Sequence, residues 1–215
     1  MSGLILKDLL NMKKQLKIIA VLLVLYGIIF IPQGNGEFIS GVVIMLAVII
    51  NFNLFAFDEA SKWDRYALTT PLSYKEIVLS RYCTSLLFLI ASGILSFIAE
   101  LITKNLNGEV NIKEVLLTIG IIMSIGLIII SLTTPIIYKV GVEKSRILVM
   151  IIFIIPFIII VGGEKLIKKL NITMPSEEVI KNIINIGQYI WPLVIILILL
   201  CSYFISTNIY RKKEF

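Results

Sequence analysis

Apolar positions gather into six runs along the chain, at 18–31, 39–57, 82–103, 115–137, 147–161 and 189–209. A helix that crosses the hydrocarbon core needs about 20 such residues, with a range of about 17–25. The first and fifth runs are shorter, so each is expected to continue into adjoining polar helix or to stop shallow. Ahead of the first run, Ile5, Leu9, Met12 and Leu16 recur at spacings of four, three and four. With Lys7, Lys13, Lys14 and Lys17 beside them, they predict an amphipathic surface helix over 1–17. Pro135 and Pro156 fall inside runs four and five and predict kinks. Gly27, Gly93, Gly120 and Gly126 predict close helix packing. The fold expected is all-α and membrane-integral, a single domain over 1–215 with six spans.

The inner segment 58–81 carries the densest polar pattern: eight of its 24 residues are charged, with both signs interleaved. Asp58 with Lys62, and Ser61 with Arg65, are spaced for i,i+4 pairing, and Asp58 is suited to cap a helix. Trp63 and Tyr66 stand three apart on one face, and Ala67 extends the ridge. Thr70 before Pro71 breaks that helix. Ser73-x-x-Glu76 then forms a capping box that starts the next one, expected to run from Ser73 to Thr103 and to project beyond the membrane. The segment reads either as a solvated loop with an interfacial tryptophan or as a docking knob for a protein partner. Beyond the fifth run, 162–188 reads as two short amphipathic pieces, the second capped by Ser176, lying in the outer headgroups or dipping back inward.

Composition sharpens this picture. Of 215 residues, 58% are hydrophobic, 16% are charged and 45 are isoleucine. A soluble domain of this size could not hide so much apolar surface. Histidine is absent, which excludes Ser-His-Asp hydrolysis, HExxH chemistry and any His-ligated metal or haem. Cys83 and Cys201 are too few for a Cys-rich metal site. No small-residue cleavage site follows the first run, so no cleavable signal peptide is expected. Lys and Arg set the orientation: 14 lie in 1–17, 58–81, 138–146 and 210–215, and six lie in the opposite segments. Both termini are therefore expected in the cytoplasm. The net charge of +6 reflects topology and anionic lipid rather than nucleic acid.

Glu100 lies near the outer end of the third run. Alone, it reads as a carboxylate close enough to the interface to reach water; the alternative is a contact facing a translocation path or a second subunit. Few ionisable groups lie mid-membrane, which suits a hydrophobic or amphipathic cargo better than an ion or sugar.

The order of these parts resembles the ABC-2 type permeases of bacterial ABC exporters over essentially the whole chain. The resemblance rests on the N-terminal helix LILKDLLNMKKQLK, the six runs, and the inner segment. In small permeases of the family that segment has the form DE-x-x-K-W-D-x-Y-x-L-x-x-P-x-x-x-x-E-I-V-x-S-[KR]-Y. Here it stands as Asp58, Glu59, Lys62, Trp63, Asp64, Tyr66, Leu68, Pro71, Glu76, Ile77, Val78, Ser80, Arg81 and Tyr82. The chain looks most like the permeases of phenol-soluble modulin and antimicrobial-peptide exporters. The resemblance implies a type V exporter-like fold in a bacterial plasma membrane, with a coupling helix within 58–70 and re-entrant outer helices in 162–188. It further implies two permease copies, the second identical, and two copies of a separate ABC ATPase that holds the ATP and Mg. The coupling interface implied comprises Lys7, Asp8, Asp58, Glu59, Lys62, Trp63, Asp64, Arg65 and Tyr66. Consistent with a non-enzymatic transport subunit, the chain has no G-x-x-x-x-G-K-[ST] sequence to cradle a nucleotide. A vitamin-type importer's substrate-binding subunit is the rival reading. Such subunits carry small residues at every fourth position of the first span, where this chain has only Ala20 and Gly27 in the run.

Overall fold

The computed structural model describes residues 2–67, 69–108, 111–151, 154 and 177–213, with backbone alone at residue 2 and over 177–189. Every regular element among them is a helix: α1 Ser2–Phe30, α2 Gly36–Ala60, α3 Trp63–Ala67, α4 Tyr74–Leu106, α5 Ile112–Val140, α6 over 142–151 and α7 Glu177–Lys212. Four stretches are long and apolar enough to cross a membrane: α2, α4, α5 and Ile190–Lys212 of α7. Most of the fifth expected span and most of 162–188 lie outside the described residues, as do Pro156 and Ser176.

The surface helix and first span expected from sequence form one unbroken helix, α1. Its inward face is also shifted from the expected one. Leu4, Asp8 and Met12 are buried, whereas Leu9 is exposed. The heptad-like spacing located a face but could not foresee that a carboxylate would lie at its centre. The expected second outer amphipathic piece, over 177–188, likewise runs straight into the last span.

The start of α4 follows the sequence closely. Ser73 Oγ accepts from the Glu76 N–H at 3.3 Å, and Glu76 Oε2 accepts from the Ser73 N–H at 2.9 Å. Two of the helix's four orphan donors are thereby satisfied. At 33 residues, α4 is about 50 Å long and outreaches the hydrocarbon core.

The most extensive interface is between α2 and α4, followed by that between α5 and α7. Gly126 permits the approach of α5: a Cβ there would stand 2.9 Å from both Ile44 Cγ2 and Leu89 Cδ1. Gly93 meets Met123 in the same way, but Gly120 faces open space and Gly27 makes only ordinary contact, so two of the four expected packing glycines pack tightly. Pro135 sits inside α5 and has no N–H to give the Ser131 carbonyl. Ser202 Oγ of α7 donates to that carbonyl instead. Ser202 Oγ and Ser206 Oγ lie 2.6 and 2.8 Å from Tyr82 Oη of α4. The proline is thus accommodated by a polar knot joining three helices.

The helices alternate in direction, so residues 2–17, 58–67, 69–81, 138–146 and 210–213 meet at one end of the bundle. The turn 31–35 and residues 100–108 and 111–114 meet at the other. Large apolar side chains such as Ile18, Val24, Ile28, Ile94, Ile121 and Leu193 point outward, as they must where the solvent is lipid.

Candidate functional site

The end where 58–81 lies is built around a turn that no sequence pattern announced. α2 runs on to Ala60, so Asp58 and Glu59 belong to its last turn and Asp58 caps nothing. Lys62 adopts φ +52°, the left-handed region that costs a non-glycine residue about 1–2 kcal/mol. The reversal folds α3 back over the bundle.

Beneath α3, four charged side chains from three helices interlock. Lys7 Nζ donates to Asp58 Oδ1 at 2.8 Å and lies 3.2 Å from Asp8 Oδ1. Arg81 Nη1 donates to Asp8 Oδ2 at 3.0 Å, and Arg81 Nη2 donates to Asp58 Oδ2. Thr84 Oγ1 adds a bond to Asp8 Oδ2 at 3.1 Å. Two cations face two carboxylates, so the cluster is neutral. Asp8, Asp58 and Arg81 are 2%, 8% and 6% exposed, so neutrality is a requirement here: an unpaired charge at such a depth costs several kcal/mol. The flat guanidinium suits the double role, giving one arm to each carboxylate. It also stacks 4.9 Å from the Phe55 ring centroid.

This arrangement replaces the local pairing expected from sequence. Asp58 pairs with Lys7 and Arg81, 51 and 23 positions away, rather than with Lys62. Arg81 falls within the family-like segment, but no site role is expected for it from sequence. Its one visible signal was a full positive charge at the threshold of an apolar run.

α3 is tied down on three sides. Lys7 Nζ sits 4.1 Å from the Trp63 ring centroid, a cation–π contact. Asp64 Oδ1 accepts from Tyr210 Oη and Asp64 Oδ2 from Lys213 Nζ, both at 3.3 Å, joining α3 to the end of α7. Ala67 is fully buried in an aromatic core with Phe55, Tyr82, Tyr138 and Tyr210. Glu59 Oε2 accepts from the Val142 N–H at 2.8 Å, placing a negative charge at the N-terminus of α6, where the helix dipole favours it. A cavity of about 320 Å³ between these elements is lined by Asp58, Glu59, Asp64, Arg81, Lys139 and Lys213, among others.

Of the nine residues expected at the coupling interface, the structure therefore buries Asp8 and Asp58, and engages Lys7, Glu59, Trp63 and Asp64 in internal contacts. Lys62, Arg65 and Tyr66 remain exposed, and the Tyr66 ring lies 5.3 Å from that of Trp63. Glu100 lies at the opposite end of the bundle. The expectation that it reaches water is overturned: its side chain is buried at 1% exposure, because Gly36 lets α2 close over it.

A family model described as "ABC-2 family transporter protein" matches residues 3–211. No curated protein and no solved structure matches the chain significantly.

Proposed function

The chain belongs to the ABC-2 transporter family and is a multi-pass permease subunit of an ABC transporter; on that premise we propose that it is the membrane half of an ATP-driven exporter whose ATPase docks on α3. Two copies, paired across a central path, work with two copies of a separate ATPase that binds ATP and Mg. Both termini lie in the cytoplasm, on the side where the positive segments collect. The cargo is hydrophobic or amphipathic, most simply a peptide, since the spans offer no file of ionisable groups for a small ion.

One observation carries this reading. The short helix α3 and the turn before it offer Arg65, Tyr66 and Lys62 to the outside, while the inner face of α3 is fastened to α1, α2 and α7. A push on that exposed face is passed to three long helices at once. The buried Lys7–Asp8–Asp58–Arg81 cluster serves as the rigid seat through which the push travels. It is a foundation of the interface rather than its contact surface. The rigid-body tilting this allows is an ordinary route of conformational switching.

The test is co-purification of the ATPase encoded beside this chain. Arg65→Glu with Tyr66→Ala, both at exposed positions, are expected to abolish ATPase recovery while the permease yield stays constant. Trp63→Ala with Asp64→Ala are expected to weaken it by unfastening α3. Full recovery with the Arg65→Glu, Tyr66→Ala variant would rule out docking on α3.

A further inference from the structure

At the end of the bundle away from α3, the turn between α1 and α2 meets the last turns of α4. Gly36 approaches so closely that a Cβ there would stand 3.0 Å from Thr103 Oγ1 and 3.2 Å from Glu100 Cγ. Glu100 is 1% exposed, and neither of its carboxylate oxygens has a hydrogen-bond partner among the described residues. It lines a cavity of about 260 Å³ together with Asn35, Glu37, Phe38, Thr103 and Lys104.

A buried carboxylate with both oxygens unpartnered is costly, and native structures seldom keep one without a use. Its nearest candidate for neutralisation is turned elsewhere: Lys104 Nζ pairs with Glu114 Oε2 at 3.0 Å. With that pair cancelled, the cavity holds two further carboxyl groups, those of Glu37 and Glu100. Thr103 is an acceptor as well, whereas the Asn35 carboxamide can accept or donate. Thr103 Oγ1 gives its proton to the Ala99 carbonyl at 2.8 Å, which leaves its lone pairs for a donor. Phe38, 53% exposed, adds an aromatic wall of the kind that favours cations. Oxygen acceptors thus predominate in the cavity, with the Asn35 carboxamide and Lys104 as the donor side chains among its described walls.

We propose that this cavity binds a primary ammonium group, either a lysine side chain or a free N-terminus, carried by the amphipathic peptide as it leaves at this end. An ammonium brings three N–H donors and no acceptor, the complement of two carboxylate oxygens and a threonine hydroxyl. The volume admits the end of one side chain and excludes a whole peptide helix, so the site reads a charge on the cargo rather than its shape. The identity of the cargo rests on the export reading above; the chemistry of the site does not.

The test therefore uses the full-length permease in lipid nanodiscs, with no ATPase and no nucleotide. The probe is a short fluorescent leucine–lysine amphipathic peptide, compared with the same peptide acetylated at every amine. Empty nanodiscs supply the correction for lipid partitioning. Glu100→Gln is expected to weaken binding of the free-amine peptide by about tenfold or more, as for a lost charge-assisted hydrogen bond. Binding of the acetylated peptide should not change. Equal affinities of wild type and Glu100→Gln for the free-amine peptide would overturn the proposal. In the wild-type protein, octylammonium should also compete with the free-amine peptide, read by the peptide's fluorescence, and octanol should not. Equal competition by the two would overturn the proposal without recourse to a variant. If the ammonium preference holds but ATP drives no peptide movement in the full complex, the site stands and the export reading falls.

Discussion

Replacing Arg81 with methionine removes one of the two cations from the buried cluster and leaves Asp8 and Asp58 to share Lys7. Breaking a buried pair by deleting one partner costs about 3–5 kcal/mol. Here the lower end applies, because the Lys7 side chain is 21% exposed and can swing toward whichever carboxylate needs it. Arg81→Met should therefore cost about 3 kcal/mol, and Asp58→Asn, which leaves two cations on Asp8, a similar amount. The double variant restores neutrality with Lys7 facing Asp8, and its loss should fall well short of the sum. A coupling energy of about 2–3 kcal/mol is expected, at the upper end for residues in direct contact. The assay is denaturant unfolding in mixed micelles of a Trp191→Phe background, followed by the fluorescence of Trp63, whose ring lies 4.1 Å from Lys7 Nζ. A double variant whose loss equals the sum of the singles within about 0.5 kcal/mol would refute the claim that these charges act as one neutral unit.

Gly126→Ala places a methyl 2.9 Å from Ile44 and Leu89 and should cost about 1–3 kcal/mol by overpacking. Gly120→Ala, facing open space, should be neutral or stabilising by up to about 1 kcal/mol; thermal unfolding in detergent reads both. Ser73→Ala should cost about 0.5–2 kcal/mol and speed amide exchange near residues 74–77 without affecting ATPase recovery. Glu59→Gln keeps an acceptor for the Val142 N–H but loses the charge at the start of α6. It should cost about 0.3–1 kcal/mol, seen as faster exchange near residues 142–145.

Where a structural cause was local, the sequence made it legible. The capping box at Ser73 and Glu76 holds because both partners lie within one turn. The crowding at Gly126 was anticipated because a small residue in an apolar run has few other uses. The same logic failed at Gly120, since a glycine facing open space carries no mark in the sequence. The partner of Asp58 was missed because the helix before it continues to Ala60 and Lys62 then turns the chain left-handed, taking Lys62 away from the carboxylate. Only the tertiary fold brings Lys7 and Arg81 there. Glu100 was misjudged for a related reason. Its depth depends on Gly36, a residue in another turn, and hydropathy along α4 records nothing of that approach. Six apolar runs were legible, but their grouping into helices was not. The polar N-terminal stretch and the first run are one helix because neither glycine nor proline interrupts 4–26.

The central claim is that α3 receives force from a separate ATPase. Its most direct measurement is a photo-crosslink from a benzophenone side chain placed at Tyr66, with position 116 on the lipid-facing surface of α5 as the control. In membranes containing both proteins, position 66 should yield a covalent adduct with the ATPase, and nucleotide should change its abundance; position 116 should yield none. No adduct at position 66, or labelling of that position by a membrane-impermeant reagent added outside intact cells, would contradict the account.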